Sequence, residues 1–298
     1  MKDIVLYCKS YNRDVLRAKR LVDSIEKFNI EKLKLYLSVP EEDLQLFLNM
    51  VGSDRCNWIT DEEIVSSNPD ANVERMYRTP GGISQQVVKS EFWRLGIAEN
   101  YLCLDSDSMF IKKFGEKDFV ALDRVPFTVC HQSKELLQIA ENKNRHQIVE
   151  GYISDSERAK AIYNRVGPNY DFGPPPMIWS SKVWRDLSDK YLAPKGMTLW
   201  DAVESFPAEI RWYGEALLKY KSIPLYPIEP LFRFYHYDWQ YYSLKQQGET
   251  IERLRDQYFG VVLQSNWEYE LDYGSKQKSV LSRVTRNLKR QLKRLRSL

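Results

Sequence analysis

The sequence predicts an α/β fold, an open sheet with helices on its faces, on three observations. Short apolar runs alternate with amphipathic helical segments through the first 60 residues. A further apolar run from Tyr101 stops in two carboxylates, Asp105 and Asp107. The 298 residues are 43% hydrophobic and 29% charged, which supports a sizeable core and rules out a disordered, collagen-like or disulfide-scaffold chain.

Taken in order, Asp3-Ile-Val-Leu-Tyr-Cys8 reads as a strand and Lys9-Ser-Tyr-Asn-Arg-Asp14 as the polar turn after it. Ala18, Leu21, Val22, Ile25 and Phe28 then recur on one helical face. Leu33 to Val39 is a second strand stopped by Pro40, Glu41 to about Met50 a second helix, and Asn57-Trp-Ile59 a short third strand. Ligands of such sheets bind beyond the carboxyl ends of the strands, here around Ser10, Tyr11 and Thr60 to Glu63. Gly81 to Gly96 reads as a turn and then a helix capped at or near Ser84, with Gln85, Gln86, Lys89 and Arg94 on two of its faces. Tyr101 to Ile111 is an apolar strand carrying both aspartates. Gly167 to Pro176 holds three consecutive prolines, which neither a helix nor a central strand accommodates, and reads as a rigid loop. Residues 177–275 are dense in Trp and Tyr. With no internal repeat and no flexible linker before about residue 274, residues 1–275 read as one continuous domain.

Residues 276–298 differ from the rest. The formal charge of +3 comes from 44 Lys and Arg against 41 Asp and Glu, and nine of the 44 lie in that segment with no acid. The remaining 35 basic groups face all 41 acids, so the body is near −6 and the tail +9. Val280, Val284, Leu288, Leu292, Leu295 and Leu298 fall on one helical face of the tail. A basic amphipathic helix of this kind suits an anionic membrane surface; a solvated tail, a helix docked on the body and an RNA-binding arm are the alternatives. An acidic body without another basic stripe argues against nucleic acid. The N-terminal apolar run is too short for a signal peptide and no window approaches 18 apolar residues. Cys8, Cys56, Cys103 and Cys130 are widely spaced and read as reduced thiols. Together these place the chain in the cytoplasm, peripheral on the cytoplasmic face of a membrane.

The chemistry centres on Leu102-Cys-Leu-Asp105-Ser-Asp107. Alternation along a strand puts both carboxylates on one side of the ligand-binding edge. Such a pair suits a hard divalent cation, Mn²⁺ or Mg²⁺, that in turn bridges the phosphates of a nucleotide. A turn whose aspartates merely cap backbone amides is the plain alternative. Phosphatases of the haloacid-dehalogenase type use such a motif near the N-terminus, with a later acidic pair; here it lies far into the chain and no such pair follows. Glycosyltransferases of the GT-A fold carry it after a nucleotide-binding β-α-β half, as this chain does.

Gly81-Gly-Ile-Ser-Gln-Gln86-Val-Val-Lys89 followed by Tyr101-Leu-Cys-Leu-Asp-Ser-Asp-Ser-Met-Phe110 resembles the GWxxQQxxKL…YLVLDSDxxF pattern of a bacterial GT-A-type family, domain of unknown function 6492. Leu6-Tyr-Cys-Lys-Ser-Tyr-Asn-Arg-Asp14 is similar to its TPSYxxD start, and Ala208-Glu-Ile-Arg-Trp-Tyr-Gly214 to its SEYxxYG element. Gly82 stands where that family often has Trp, and Ala208 where it often has Ser. The resemblance implies a metal-dependent glycosyltransferase of bacterial surface polysaccharide synthesis (lipopolysaccharide or capsule). It would move a sugar from a nucleotide-diphosphate sugar to a glycan or lipid-linked glycan.

It further implies that Ser10 and Tyr11 face the base or ribose, Asp105 the ribose or metal, and Asp107 the metal on the diphosphate. Gln86 and Lys89 would meet a sugar hydroxyl or phosphate, unless Lys89 lies on a solvated face. Glu209 is the expected general base of an inverting transfer, with Asp171 and Glu215 competing; a dipole-favoured helix N-terminal Glu is its alternative. His236 is the late histidine expected to complete the metal shell, with Asp238 able to do the same and a core histidine as the alternative. Tyr170, Phe172 and Trp212 are the aromatics expected to meet sugar. Two other functions remain open: a DxD phosphatase or nucleotidyltransferase acting on phospho-sugars, and a non-catalytic peripheral membrane scaffold.

Overall fold

A computed structural model describes residues 4–70 and 72–274. The first half runs β1 (Ile4–Lys9), α1 (Val15–Phe28), β2 (Leu35–Val39), α2 (Leu44–Val51), β3 (Asn57–Thr60), α3 (Asp61–Ser66), α4 (Val73–Arg78), α5 (Gly81–Glu91), β4 (Asn100–Asp105) and β5 (Ser108–Phe110). The second half continues with β6 (Thr128–Val129), α6 (Lys134–Asn142), α7 (His146–Ile162), β7 (Met177–Ser180), α8 (Ser181–Leu187), α9 (Leu199–Ser205) and α10 (Glu209–Tyr220). It closes with β8 (Pro227–Ile228), β9 (Phe232–Tyr235), α11 (Asp238–Gln246), α12 (Ile251–Gln257) and β10 (Gly260–Leu263).

The central sheet has the order β3-β2-β1-β4-β7, parallel except for β7, which runs against β4. Both its faces are covered, which is why β1 and β4 are almost wholly apolar rather than alternating. Ile4, Leu6, Cys8, Leu102 and Leu104 pack toward α1 and α2. Val5, Tyr7, Tyr101, Cys103 and Trp179 pack toward α5, α8, α9 and α10 on the other face. The chain steps outward from β1 to β3 and then returns to the far side of β1 with β4. That reversal opens a crevice at the carboxyl ends of β1 and β4, where Lys9 is the register partner of Asp105. The α/β fold, an open sheet with helices on both faces, is therefore as the sequence predicts, and the sheet is mixed.

Two boundaries differ from expectation. The strand expected over Tyr101 to Ile111 breaks at Ser106-Asp107, because β5 leaves the central sheet to join a second one of order β5-β10-β9. Its partner β10 lies some 150 residues further along the chain, so no local pattern announces the break. Helix α5 begins at Gly81 rather than near Ser84, since the Ile83 and Ser84 N–H groups donate to the Pro80 carbonyl at 2.8 and 3.0 Å. The four cysteines are free thiols, Cys8 and Cys103 buried. Among the described residues no helix is long and apolar enough to cross a membrane. The helix expected over 276–298 lies outside the described residues.

The loop at Gly167 to Pro176 is irregular, as three prolines require, and its Phe172 ring is buried against α10 at Gly214. A Cβ at Gly214 would overlap that ring. Gly214→Ala is therefore expected to lower unfolding free energy by about 1–3 kcal/mol, the usual cost of overpacking. Chemical denaturation measures it, and an unchanged midpoint would mean that the loop does not pack as described.

Candidate functional site

The crevice between β1 and β4 is a cleft of ≈ 150 Å³. Ser10 and Tyr11 line it from the end of β1, Asp105, Ser106 and Asp107 from the end of β4, Gln85 from α5, and Gln264 to Asn266 from the residues after β10. Asp105 is one-third exposed, whereas Asp107 is 8% exposed. Asp107 Oδ2 accepts from the Ser265 N–H at 2.9 Å, but its Oδ1 has no partner, and neither does the buried Ser10 Oγ. Burial, and then the neighbouring Asp105 carboxylate, push the Asp107 carboxyl up to about 7. A buried carboxylate with an unpartnered oxygen beside a second carboxylate fits a hard cation, whose charge reverses the penalty. Among the described residues no group of three or more His, Cys, Asp or Glu side chains gathers into a cage. Two carboxylates with substrate oxygens and water completing the shell is the arrangement Mg²⁺-type ions accept.

Behind Asp105 stands a buried lysine. Lys89 of α5 is 5% exposed; its Nζ lies 2.9 Å from Glu209 Oε1 and 3.4 Å from Asp105 Oδ1. Burial alone would lower its ammonium's pKa, but Asp105 and Glu209 outweigh that and hold it well above the usual lysine value. Gln86, about one turn before Lys89 on α5, joins α5 to α10: its Oε1 accepts from the Glu209 N–H at 3.2 Å, and its Nε2 donates to the Gly82 carbonyl at 2.9 Å. Gln86, Lys89, Asp105 and Glu209, expected separately, thus meet in one cluster. Within it Lys89 and Glu209 bear on Asp105 from behind, while Gln85 rather than Gln86 faces the cleft.

The cleft is closed from the other side by the chain after β10. Arg17 of α1 is fully buried and donates to Asp14 Oδ1 and Asp272 Oδ1, each at 2.7 Å, and to the Glu268 carbonyl. Asp14 lines the cleft and accepts from Ser106 Oγ at 3.4 Å. Arg13 Nη2 reaches Asp272 Oδ2 at 2.7 Å, and the Tyr273 N–H donates to the Arg13 carbonyl at 2.9 Å. Residues 264–273 are thereby strapped across α1 with Ser265 held against Asp107. The cleft's lysine, Lys9, pairs with the buried Asp61 at 3.3 Å.

Other expected residues lie elsewhere. His236 and Tyr170 line a separate cavity of ≈ 560 Å³, and the structure does not bring His236 to the aspartate pair, because β10 stands between its strand and β5. Burial lowers the His236 pKa to about 4, with Asp171 opposing. The Asp171 carboxylate holds its own loop, accepting from Ser133 Oγ at 2.6 Å and the Gly173 N–H at 3.1 Å. Glu215 is buried against Arg165 at 2.5 Å, and Asp238 opens α11. Trp212 and Phe172 are core residues rather than sugar platforms, the Trp212 indole donating to the Phe206 carbonyl at 2.9 Å. Thr60 and Glu63 form a capping box on α3 instead of facing a ligand.

Lys9, Asp14, Gln85, Ser106 and Gln264 to Asn266 are the cleft residues that the sequence did not mark as site residues. Asp14 closes the Ser-Tyr-Asn-Arg-Asp run and carried a signal; the residues after β10 carried none. No curated protein matches the sequence. A family model described as "Family of unknown function (DUF6492)" matches residues 3–266, a span that runs from the opening strand through Ser265 and Asn266 of the strap. With nearly nine-tenths of its length matched, the chain belongs to that family of unknown function, DUF6492.

Proposed function

We propose that the chain is a GT-A-type glycosyltransferase. In this reading a nucleoside-diphosphate sugar sits in the cleft with Mn²⁺ or Mg²⁺ at Asp105 and Asp107, and its sugar passes to a saccharide hydroxyl. The observation that carries this is the buried Asp107 carboxylate, with its unpartnered Oδ1, beside Asp105 at the point where the sheet order reverses. Charge supports it too. The lining holds Asp14, Asp105 and Asp107, and Lys9 is already paired with Asp61. Arg17 and Lys89 offset Asp14 and Asp105 only from behind, and among the described residues no unpaired cation lines the cleft, so a diphosphate entering alone finds no counter-charge. The cation, when bound, offsets the charge of both carboxylates and the diphosphate and stabilises the leaving group.

Ser10 and Tyr11, at the end of β1, suit the ribose and base. Lys89, held by Glu209, fixes the Asp105 carboxylate, so Glu209 acts as a positioning residue rather than as the proton acceptor its sequence context suggested. In the transfer the acceptor oxygen bonds to the anomeric carbon as the bond from that carbon to the diphosphate breaks. The electron pair leaves with the diphosphate, and the acceptor's proton balances it. Thermal-shift measurements with nucleoside diphosphates, with and without Mn²⁺, test the reading. A stabilisation of several degrees that needs both components together is expected. No shift with any nucleoside diphosphate, Mn²⁺ or Mg²⁺ present, would overturn it.

Residues 276–298 fit the same function as a membrane address, each basic residue contributing about 1 kcal/mol near anionic lipid. Deleting them is expected to abolish sedimentation with vesicles containing phosphatidylglycerol while sparing turnover of a soluble acceptor. Undiminished vesicle binding by the truncated chain would remove that role.

A further inference from the structure

The ≈ 560 Å³ cavity is larger than the cleft and lies within the usual size range of small-molecule sites. Its wall is built from three segments. His131 Nε2 and the Gly173 carbonyl meet at 2.6 Å while His131 Nδ1 accepts from the Ser133 N–H at 3.2 Å, so residues 131–133 and the Tyr170–Pro174 loop form one rigid side. The strand β9 and its continuation to His236 form the other, with Tyr258 beside them. Tyr170, Phe234 and Tyr258 contribute ring surface; Gln132, Ser133 and Gln240 contribute amide and hydroxyl groups.

The one guanidinium inside is already engaged, by two carboxylates. Arg233 pairs with Glu135, Nη2 to Oε1 at 3.1 Å, and with Glu249 at 2.8 Å. Glu229, its side chain 85% exposed, and the exposed Lys134 lie at the rim. His236, held neutral by burial, adds no charge near neutral pH. An anion entering would meet carboxylates in excess and, among the described residues, no free cation within; the surplus carboxylate can accept from hydroxyls, and a purely apolar ligand would strand it together with the amides and imidazole. An uncharged molecule with both hydroxyls and C–H faces satisfies both kinds of surface.

The cavity also neighbours the cleft. β9 and β10 are parallel neighbours with Tyr235 opposite Leu263, so His236 and Gln264 are the first residues beyond adjacent strand ends. His236 faces the cavity and Gln264 the cleft. The first turn of α10 touches both walls: Glu209 pairs with Lys89 behind Asp105, and Ile210 lies against Gly173 of the loop that carries Tyr170 and Pro174.

We propose that this cavity seats an uncharged saccharide of two or three rings and that, resting on the glycosyltransferase reading, its occupant is the acceptor. Binding of the full chain to an array of neutral and acidic oligosaccharides, without nucleotide or divalent cation, tests it. Neutral glycans are expected to be retained and their sialylated or phosphorylated counterparts to bind at least tenfold more weakly. Gln132→Trp, which puts a bulky ring at an exposed position of the lining, and Tyr170→Ala are each expected to weaken retention at least tenfold with an unchanged melting temperature. Failure to retain any neutral glycan, a preference for acidic ones, or retention unaffected by both variants would overturn the proposal. The Mn²⁺-nucleotide thermal shift on the same proteins separates the two claims. Glycan binding without that shift leaves the saccharide seat standing and removes the transferase reading; the shift without glycan binding does the reverse.

Discussion

Asp107→Asn is expected to reduce sugar transfer more than about 100-fold, beyond the usual loss when a mere neighbour of a metal ligand is changed, while raising the stability of the metal-free protein. The two effects share one cause. Asp107 is buried beside Asp105, so its native carboxyl holds a proton up to about pH 7, whereas the unfolded chain releases that proton near 4. Between those values the native state binds more protons, so each step up in pH favours unfolding. The penalty is absent below about pH 4 and complete above about 7. The amide removes the penalty and keeps the side-chain oxygen that accepts from Ser265. In chelator-treated buffer the melting temperature of the variant should therefore exceed that of the native protein by a margin that widens from pH 4 to 7 and then levels off. Equal loss of activity and stability would mean that Asp107 is a structural residue and not a ligand.

Lys89→Met is expected to be the most destabilising single change in the cluster. Removing the ammonium leaves Glu209 and Asp105 facing each other without the cation between them, Glu209 in a nearly closed environment. Breaking one partner out of a buried pair typically costs about 3–5 kcal/mol, which for a chain of this size corresponds to a fall in melting temperature on the order of 10 °C. The double variant Lys89→Met, Glu209→Gln should recover much of that loss, because the stranded charge is then gone. Catalysis separates from stability here: the double variant, though folded, would leave Asp105 without its rear contact and should transfer sugar poorly. If Lys89→Met melted like the native protein, the lysine would be solvated and the cluster incorrectly drawn.

Much of the first half could be read directly from residue order. The apolar alternation of β1, β2 and β3 with α1 and α2 is a local property, and burial on both faces leaves it undisguised. Asp105 and Asp107 stood out because polar residues interrupt an apolar strand where ligands gather. What sequence could not supply is what depends on distant partners. β5 leaves the central sheet for β10; Ser265 arrives at Asp107 from the far end of the chain; Arg17, seemingly a helix-face cation, is fully buried as the clamp on Asp272. His236 was expected at the metal because its late position matches the histidine with which GT-A enzymes complete the shell. Its strand does lie in the sheet that β5 enters, but with β10 between them, and that strand order has no trace in residue spacing. The resemblance pointed to Gln86, but the close approach of α10 takes up that glutamine and leaves Gln85 to line the cleft.

The most direct measurement is anomalous scattering from crystals soaked with Mn²⁺ and a nucleoside diphosphate. The expected result is a single strong peak between the Asp105 and Asp107 carboxylates, with diphosphate density continuing from it along Ser10 and Tyr11. Mn²⁺ bound elsewhere with the aspartates still turned to protein donors, or nucleotide density outside this cleft, would contradict the proposed function.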